Sequence, residues 1–316
     1  MTITDFTREH IAAADALARA CYEEERQNTP ELPVMVKFPD LTHFADNGLG
    51  VAVFEDGEMT GFLCCIGPFD HAFQTTDVKG VFSPMGSNAT RPENREKIYA
   101  RLYQAAAEKW VSAGAVSHGI CLYAHDAAAQ RQFFRYGFGM RCVDSVRLME
   151  PVDCQPCEGY TFSEAASGDY SAVYPLDTRK TEHFYKSPCF MKKTPDTYSE
   201  FCREIETSRK RCFIASCHDT VCAYLTVAKS GETFISEYPG YLHINDAYCL
   251  ESHRHKGLYQ NLLNYAIAVL KKEGYSHLGV DFESINPTAY GFWSKYFRPY
   301  THGVVRRIDE RILKNV

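Results

Sequence analysis

The sequence lacks any hydrophobic run long enough to cross a membrane, since no 18 consecutive residues are apolar. It also lacks, at its N-terminus, the basic segment followed by an apolar one that is typical of a secretory signal peptide. An excess of positive charge is missing too: the formal net charge is −6, and binding along a nucleic-acid backbone needs a positive face. We therefore expect a cytoplasmic protein whose partners are neither membranes nor nucleic acids.

A second cysteine pair that would complete a zinc site is also missing. The 13 cysteines include one CxxC pair, Cys154 and Cys157, and zinc sites of this kind need a further pair at similar spacing. Most of the other cysteines lie in apolar, strand-like segments, which is typical of free thiols used as small hydrophobic side chains in a reducing compartment. The sequence predicts no metal site.

Several features of the sequence recur at one long period. Predicted hairpins with turns at residues 56–57 and 218–219 occupy equivalent places in the two halves of the chain. Gly114 and Gly274 each end a predicted helix and lie 160 residues apart. A single duplication explains these coincidences, although two unrelated α/β halves could also produce them by chance.

The chain of 316 residues is long enough for two domains of ordinary size. We predict a mixed α/β (α+β) fold of two tandem domains at residues 1–150 and 160–316. The segment 151–159 has proline, cysteine and glycine in place of a periodic pattern and is the predicted linker. Residues 163–177 are expected to begin a helical region, and residues 178–210 to help line a substrate pocket.

The stretch 242–299 is predicted to run strand, basic glycine loop, helix, strand, helix. Arg254, His255 and Lys256 precede Gly257, which lies at the start of the helix. A helix N-terminus leaves its first backbone N–H groups unpaired and carries a partial positive charge. Together these features predict a site for a phosphate or pyrophosphate. The alternative is an ordinary solvated turn before a helix.

Two motifs in this stretch resemble the signatures of the GNAT acetyltransferase superfamily. They read Arg254-x-x-Gly257 and, about thirty residues later, Asn286-x-x-Ala289-x-x-Phe292-Trp293-x-Lys295. The resemblance implies that the first motif holds the pyrophosphate of acetyl-CoA and that the second flanks its pantetheine arm and thioester. It also implies a backbone donor for the acyl oxygen near Cys249 or Leu250. The cofactor-binding residues expected from the loop and the motifs are Cys249, Leu250, Arg254, His255, Lys256, Gly257, Leu258, Tyr259, Asn286 and Trp293.

Three residues depart from the family pattern. Tyr259 stands where the family has a small residue, and Phe297 stands where a glycine is usual. Trp293 replaces the tyrosine that often protonates the leaving thiolate. Because an indole has no proton to transfer, Tyr290, one helical turn earlier, or Tyr296 could act as the acid instead, although a thiolate leaves readily and the reaction needs little help from an acid.

For the general base, the strand before the loop offers His243 and Asp246. If that strand is regular, their odd separation places them on opposite faces, so only one would face the cleft. Histidine titrates near neutrality unaided, and His243 lies about where several family members carry a glutamate. Asn286 is expected either to cap the following helix or to bond the cofactor's arm.

In the duplication, Arg95 and Ile98 of the first half correspond to Arg254 and Gly257 of the second half. A β-branched side chain and the nearby Glu96 both disfavour a pyrophosphate there. The first half therefore looks like a degenerate GNAT-like domain that no longer holds coenzyme A well, as in other tandem members of the superfamily that have one inactive copy.

The resemblance thus implies an N-acetyltransferase that moves the acetyl group of acetyl-CoA to a primary amine by direct attack in its C-terminal domain. A non-catalytic acyl-CoA-binding or regulatory module is one alternative. An aminoacyl- or peptidyl-transferring relative of the same fold is another. The expected partner is a small-molecule or peptide amine, and the expected assembly is a monomer or a homodimer.

Overall fold

The computed structural model describes residues 1–166, 168 and 170–315 and divides the chain into two compact units. The first consists of Met1–Asp144 and Pro299–Val316, and the second of Ser145–Arg298. The first boundary lies close to the predicted linker. The C-terminal strand, which the sequence placed in the second domain, belongs to the first unit because it pairs antiparallel with residues 117–123. No helix among the described residues is long and apolar enough to cross a membrane.

The first unit contains strands β1 to β8 and helices α1 to α4. Its strands are β1 (Thr2–Asp5), β2 (Val51–Glu55), β3 (Glu58–Leu63), β4 (Ile66–Phe69), β5 (Gly80–Ser83), β6 (Asn88–Thr90), β7 (Ser117–Tyr123) and β8 (Gly139–Leu148), which ends just beyond the boundary. Its helices are α1 (Ile11–Asn28), α2 (Thr42–Asp46), α3 (Arg95–Ser112) and α4 (Ala127–Arg135).

Helix α3 and the β2–β3 hairpin form much of the core of this unit. Ile98, Leu102, Ala106 and Trp110 recur every four residues along α3, so they lie on one helical face, and all four are fully buried. The turn at residues 56–57 has left-handed φ values of 51° and 85°, as a two-residue hairpin requires. Both elements agree with the pattern predicted from the sequence.

The second unit contains strands β9 to β13 and helices α5 to α8. Its strands are β9 (Thr161–Glu164), β10 (Arg211–Cys217), β11 (Thr220–Ala228), β12 (Tyr241–Cys249) and β13 (His277–Glu283). Its helices are α5 (Tyr174–Tyr185), α6 (Tyr198–Thr207), α7 (Leu258–Lys272) and α8 (Pro287–Tyr296), and β14 (Arg298–Arg307) follows.

The prediction that a helical region begins at residue 163 is wrong. Residues 161–164 form β9, which pairs antiparallel with β10, and α5 begins only at Tyr174. A four-residue edge strand gives little periodic signal, and its pairing with a distant strand overrides local preference. Ser167 and Asp169 lie outside the described residues.

Strands β12 and β13 separate at their carboxyl ends, and this separation positions the site. β12 pairs antiparallel with β11 along most of its length. Its parallel pairing with β13 covers only Tyr241–Ile244 opposite His277–Val280. Both strands then continue, β12 to Cys249 and β13 to Glu283, and leave a gap between them.

Alternation along the strands places α5 and α7 on opposite faces of the sheet in this unit. Tyr224 of β11 donates a hydrogen bond from Oη to Asp177 of α5 at 2.8 Å. Ile214 is the register partner of Tyr224. Its neighbour Phe213 points the other way and packs on Tyr265 of α7, with 6.2 Å between ring centroids. Below, the two sides are called the α5 face and the α7 face.

Candidate functional site

A cavity of about 580 Å³ opens where β12 and β13 separate. Residues 244–249 of β12 and 280–283 of β13 line it, together with the loop before α7, the first turn of α7, helix α8 and part of α5. Ligands in α/β sheets commonly bind at the carboxyl ends of strands, in cavities lined by converging polar groups. This cavity is therefore the candidate site, and it lies within the second unit.

The start of α7 has the backbone geometry of an anion site. Gly257 caps the helix with a φ of 77°, a left-handed conformation that residues with a Cβ rarely adopt. The first helical bond runs from the N–H of Asn261 to the carbonyl of Gly257 at 3.1 Å. The N–H groups of residues 258–260 therefore have no partner within the helix, and they lie at the positive end of its dipole.

The three basic residues of the loop have different roles. Arg254 donates from Nε to the carbonyl of Cys249 at 2.9 Å, and its guanidinium carbon lies 5.4 Å from the ring centroid of Tyr248. Arg254 therefore ties the loop to the end of β12. His255 and Lys256 are exposed, so Lys256 supplies positive charge and His255 a polar ring beside the helix start.

Of the two predicted backbone donors, only Cys249 faces the gap. The N–H of Leu250 donates to the carbonyl of Cys222 at 2.9 Å, so the expectation that Leu250 supplies a free donor is corrected. Successive residues of an antiparallel strand direct their N–H groups to alternate sides, and those of Cys249 and Ala247 therefore point away from β11. Burial raises the pKa of the Cys249 thiol to about 11, which suits a structural side chain.

Tyr259 and Trp293 form part of the cavity wall. Tyr259 donates from Oη to the carbonyl of Tyr224 at 3.2 Å, so its ring is directed at the sheet and does not lie over the glycine loop. The ring meets Trp293 edge-on with 5.9 Å between centroids, and Trp293 is 5% exposed. Both residues therefore act as packed aromatic walls.

The two tyrosines considered as acids differ in position. Tyr296 lines the cavity, and its Oη accepts a hydrogen bond from Gln260 at 3.2 Å. Tyr290 packs on Phe282 with 5.9 Å between centroids and is 42% exposed. Tyr290 is not among the residues that line the cavity, whereas its neighbours Ala289 and Gly291 are. The geometry favours Tyr296 and argues against Tyr290.

Asn286 caps α8, which is one of its two expected roles. Its Oδ1 accepts from the N–H of Ala289 at 3.4 Å and lies 3.2 Å from Nε2 of His183. It therefore fixes the start of α8 and connects it to α5.

Strand β12 is irregular between the two candidate bases. Its pairing with β11 shifts by one residue between Ile244 and Asp246, which leaves Asn245 as a bulge. The extra residue changes the alternation, so His243 and Asp246 both lie on the α5 face. The expectation that His243 and Asp246 lie on opposite faces of a regular strand is wrong, as the bulge shows.

Asp246 is held in an ion network. It bonds Lys180, and its Oδ2 lies 2.9 Å from Lys210 Nζ; Thr226 also donates to it, at 3.3 Å. Burial alone would raise the pKa of Asp246, but the two ammonium groups outweigh burial and hold it well below its ordinary value. A carboxylate stabilised so strongly in its charged form is a poor proton acceptor, which argues against Asp246 as the base.

The substitution Asp246→Asn is expected to destabilise the second unit by about 1.5–3 kcal/mol at pH 7, because it removes the shared carboxylate from two charge-assisted hydrogen bonds, while Lys180 keeps Asp177 and Lys210 keeps Glu204. The folded-state pKa is lowered, so this contribution is present above about pH 4 and is lost as pH falls toward the folded value. Denaturant unfolding at several pH values measures it. Asp153→Asn, at an exposed position of the same unit, is the control. Equal stability of Asp246→Asn and wild type at pH 7 would contradict this role.

His243 lies behind a carboxylate that reaches the cavity. His243 is 1% exposed; its Nε2 lies 2.8 Å from Asp281 Oδ1, and its Nδ1 lies 3.2 Å from Tyr241 Oη. Asp281 lines the cavity with 33% of its side chain exposed. The sequence reasoning missed Asp281, whose signal is its place two residues after Gly279, the register partner of His243. His243 can therefore act on a ligand only through Asp281.

The equivalent region of the first unit is filled by the chain's own charged groups. Arg95 opens α3 and pairs with Glu24 at 2.7 Å and with Asp126 at 3.4 Å. The hydrogen bond from Arg95 is the main cause that holds the pKa of Glu24 at about 2. Ile98, the residue that corresponds to Gly257 in the duplicated sequence pattern, is a fully buried core residue. The positive charge at the start of α3 is thus already compensated.

The CxxC cysteines have no metal-like surroundings. Cys154 and Cys157 are free thiols, and Asn264 Nδ2 lies 3.3 Å from Cys154 Sγ. In the part of the chain that the structure describes, no group of three or more histidine, cysteine, aspartate or glutamate side chains is arranged to hold a metal ion.

Solved structures identify the class of fold. The chain is similar to a GCN5-related N-acetyltransferase from Sphaerobacter thermophilus, with a TM-score of 0.58, 13% identity and coverage of 97% of this chain and 95% of that one. It is also similar to a GCN5-related glucosamine N-acetyltransferase region of a fungal multi-domain GH3 β-N-acetylglucosaminidase. There the TM-score is 0.52, the identity 14%, and the coverage 96% of this chain and 38% of that one. The predicted mixed α/β, GNAT-like fold is confirmed.

The family follows from the sequence of the second unit. Residues 177–297 match the model of the Acetyltransferase (GNAT) family, so this unit carries a GNAT-family domain, as predicted. The matched segment starts within α5 and ends after α8, and thus contains β12, β13 and the loop between β12 and α7. Members of this family are acyltransferases. A search of curated proteins found no match.

Proposed function

We propose that this protein is an acetyl-CoA-dependent N-acetyltransferase whose second unit transfers an acetyl group to an amine. The observation that carries the proposal is the gap between β12 and β13, which has an anion-binding helix start on one side and Asp281 on the other. A donor entering from the α7 face and an acceptor entering from the α5 face would meet in this gap.

The residues of the α7 face fit coenzyme A. The N–H groups of residues 258–260, the ammonium group of Lys256 and the ring of His255 suit a diphosphate. The free edge of β12, with the N–H groups of Ala247 and Cys249, suits an arm that contains amides, as it would suit an added strand. When bound, acetyl-CoA supplies an acetyl group activated as a thioester.

The residues of the α5 face suit an amine. An amine attacks only when it is neutral, so the acceptor side needs a group that takes a proton. Asp281 lies on this face at the gap, and His243 behind it is within hydrogen-bond distance of its carboxylate, at 2.8 Å. We assign proton acceptance to this pair, with Asp281 in contact with the substrate and His243 as its positioning residue.

A non-catalytic module that binds acyl-CoA is the second candidate, and Trp293 is the observation that favours it. An indole cannot return a proton to a leaving thiolate, although a thiolate leaves readily without that help, and Tyr296 lines the same cavity. Catalysis therefore does not depend on the residue that Trp293 replaces.

Release of free CoA thiol from acetyl-CoA, measured over a panel of amines, tests the proposed function. We expect release above the acceptor-free rate with at least one amine, together with thermal stabilisation of the protein by acetyl-CoA. Stabilisation without release from any acceptor would support the binding module instead. The absence of both would contradict the two candidates together.

A further inference from the structure

Two lysines line the α5 side of the cavity, and they differ in their partners. Lys180 bonds Asp246 and lies 2.6 Å from Asp177, so its charge is compensated. Lys193 makes no ion pair with any carboxylate among the described residues; instead its Nζ lies 4.1 Å from the ring centroid of Phe184. The cation–π contact orients the ammonium group but leaves its hydrogen-bonding capacity free for a ligand.

The surroundings of Lys193 favour the entry of an anion. Burial lowers the pKa of Lys193, and the nearby charge of Lys180 lowers it further. Asp281 and Glu283 act on Lys193 electrostatically without forming an ion pair with it. A partly buried cation without a contacting counter-ion is stabilised when a ligand supplies one.

The other basic side chains of the cavity are placed for different tasks. Lys295 is exposed and lies over the ring of Tyr296, with 5.2 Å between its Nζ and the ring centroid. Tyr296 in turn bonds Gln260 in the first turn of α7, so Lys295 belongs to the α7 side. Nε2 of His183 is engaged with Asn286. Lys193 is thus the basic side chain placed to meet an acceptor.

Lys193 and Asp281 offer opposite charges to one molecule on the same side of the gap. We propose that the acceptor carries a carboxylate as well as an amine, that Lys193 binds the carboxylate, and that Asp281 faces the amine. The substrate class is then an amino acid or a compound with the same pair of groups. This inference rests on the proposed function and narrows its acceptor.

Matched pairs of acceptors test this inference. Each standard L-amino acid is compared with the amine that lacks its carboxylate, for example L-phenylalanine with 2-phenylethylamine and L-lysine with cadaverine. For at least one pair we expect kcat/KM for thiol release to be at least about tenfold higher with the amino acid. In Lys193→Met this preference is lost, mainly through a higher KM for the amino acid. Lys192→Met, at the exposed neighbouring position, keeps the preference.

Three outcomes would overturn the inference. One is a wild-type protein that prefers the amine in every pair or shows no preference. Another is an equal loss of kcat/KM for both members of each pair in Lys193→Met, which would indicate a general role in proton transfer.

If no acceptor releases thiol, the proposed function fails on its own, and a binding measurement then tests the inference and supplies the third outcome. Thermal stabilisation by amino acids in the presence of CoA that disappears in Lys193→Met supports it, and the lack of stabilisation in wild type overturns it.

Discussion

Replacing Gly257 with glutamate is expected to raise the dissociation constant for acetyl-CoA by at least about 100-fold, which corresponds to about 2.7 kcal/mol. Two effects combine. A side chain at a φ of 77° costs about 1–2 kcal/mol in the left-handed region, which favours other loop conformations that do not present the N–H groups of residues 258–260. The carboxylate also brings negative charge to the start of α7, where the diphosphate is proposed to bind. Titration calorimetry or thermal shift with acetyl-CoA measures the change.

Gly274 offers a matched control at the opposite end of the same helix. It also has a left-handed φ, 93°, and open space around the position where a Cβ would lie. Gly274→Glu therefore introduces the same residue and similar backbone strain, but far from the proposed phosphate site. The account fails if Gly257→Glu binds acetyl-CoA as tightly as wild type, or if Gly274→Glu loses binding to the same degree.

The glycine loop was predictable because its signals are local. A glycine after basic residues and before an apolar helical repeat specifies a helix start from a few neighbouring residues. The α3 helix was predictable for the same reason, since the four-residue recurrence from Ile98 to Trp110 is visible in the sequence. The hairpin turn at residues 218–219, with left-handed φ values of 46° and 63°, needs only its own two residues and the flanking strands.

The acid–base part of the site was less predictable because it depends on how strands pair. The bulge at Asn245 is defined only by the register against β11, and it alone brings His243 and Asp246 to one face. Asp281 lies 38 residues beyond His243 in the chain and reaches it only because β12 and β13 are parallel neighbours. Neither the bulge nor the pairing of β12 with β13 can be read from the spacing of residues in the sequence.

The ion partners of Asp246 illustrate the same limit. Lys180 comes from α5 and Lys210 from the segment before β10, and neither spacing suggests contact with β12. The sequence shows a carboxylate on a strand near a cleft, which is equally typical of a base and of a structural ion pair. Only the positions of the two lysines distinguish these roles. The placement of β14 in the first unit likewise depends on its distant partner β7.

The substitution Asp281→Asn is expected to lower kcat by about 100-fold or more, with the affinity for acetyl-CoA little changed, since general-base catalysis typically contributes about 10²–10⁴. The amide keeps the size of the side chain and an oxygen for His243, but it cannot take a proton from the amine. The limb of the pH–rate profile that reports the base should also disappear from kcat/KM. Steady-state kinetics across pH, combined with acetyl-CoA binding to the same variant, measure both effects.

The residues behind Asp281 provide a graded series that separates proton transfer from simple structural damage. Each step away from the cavity should matter less, because Asp281 lines the cavity, His243 lies behind it at 2.8 Å, and Tyr241 lies behind His243, with 3.2 Å between its Oη and Nδ1 of His243. We therefore expect His243→Gln to lower kcat less than Asp281→Asn does, and Tyr241→Phe to have the smallest effect. Wild-type kcat in Asp281→Asn would remove it as the base. A larger loss in His243→Gln, with acetyl-CoA binding intact, would assign proton acceptance to the imidazole itself.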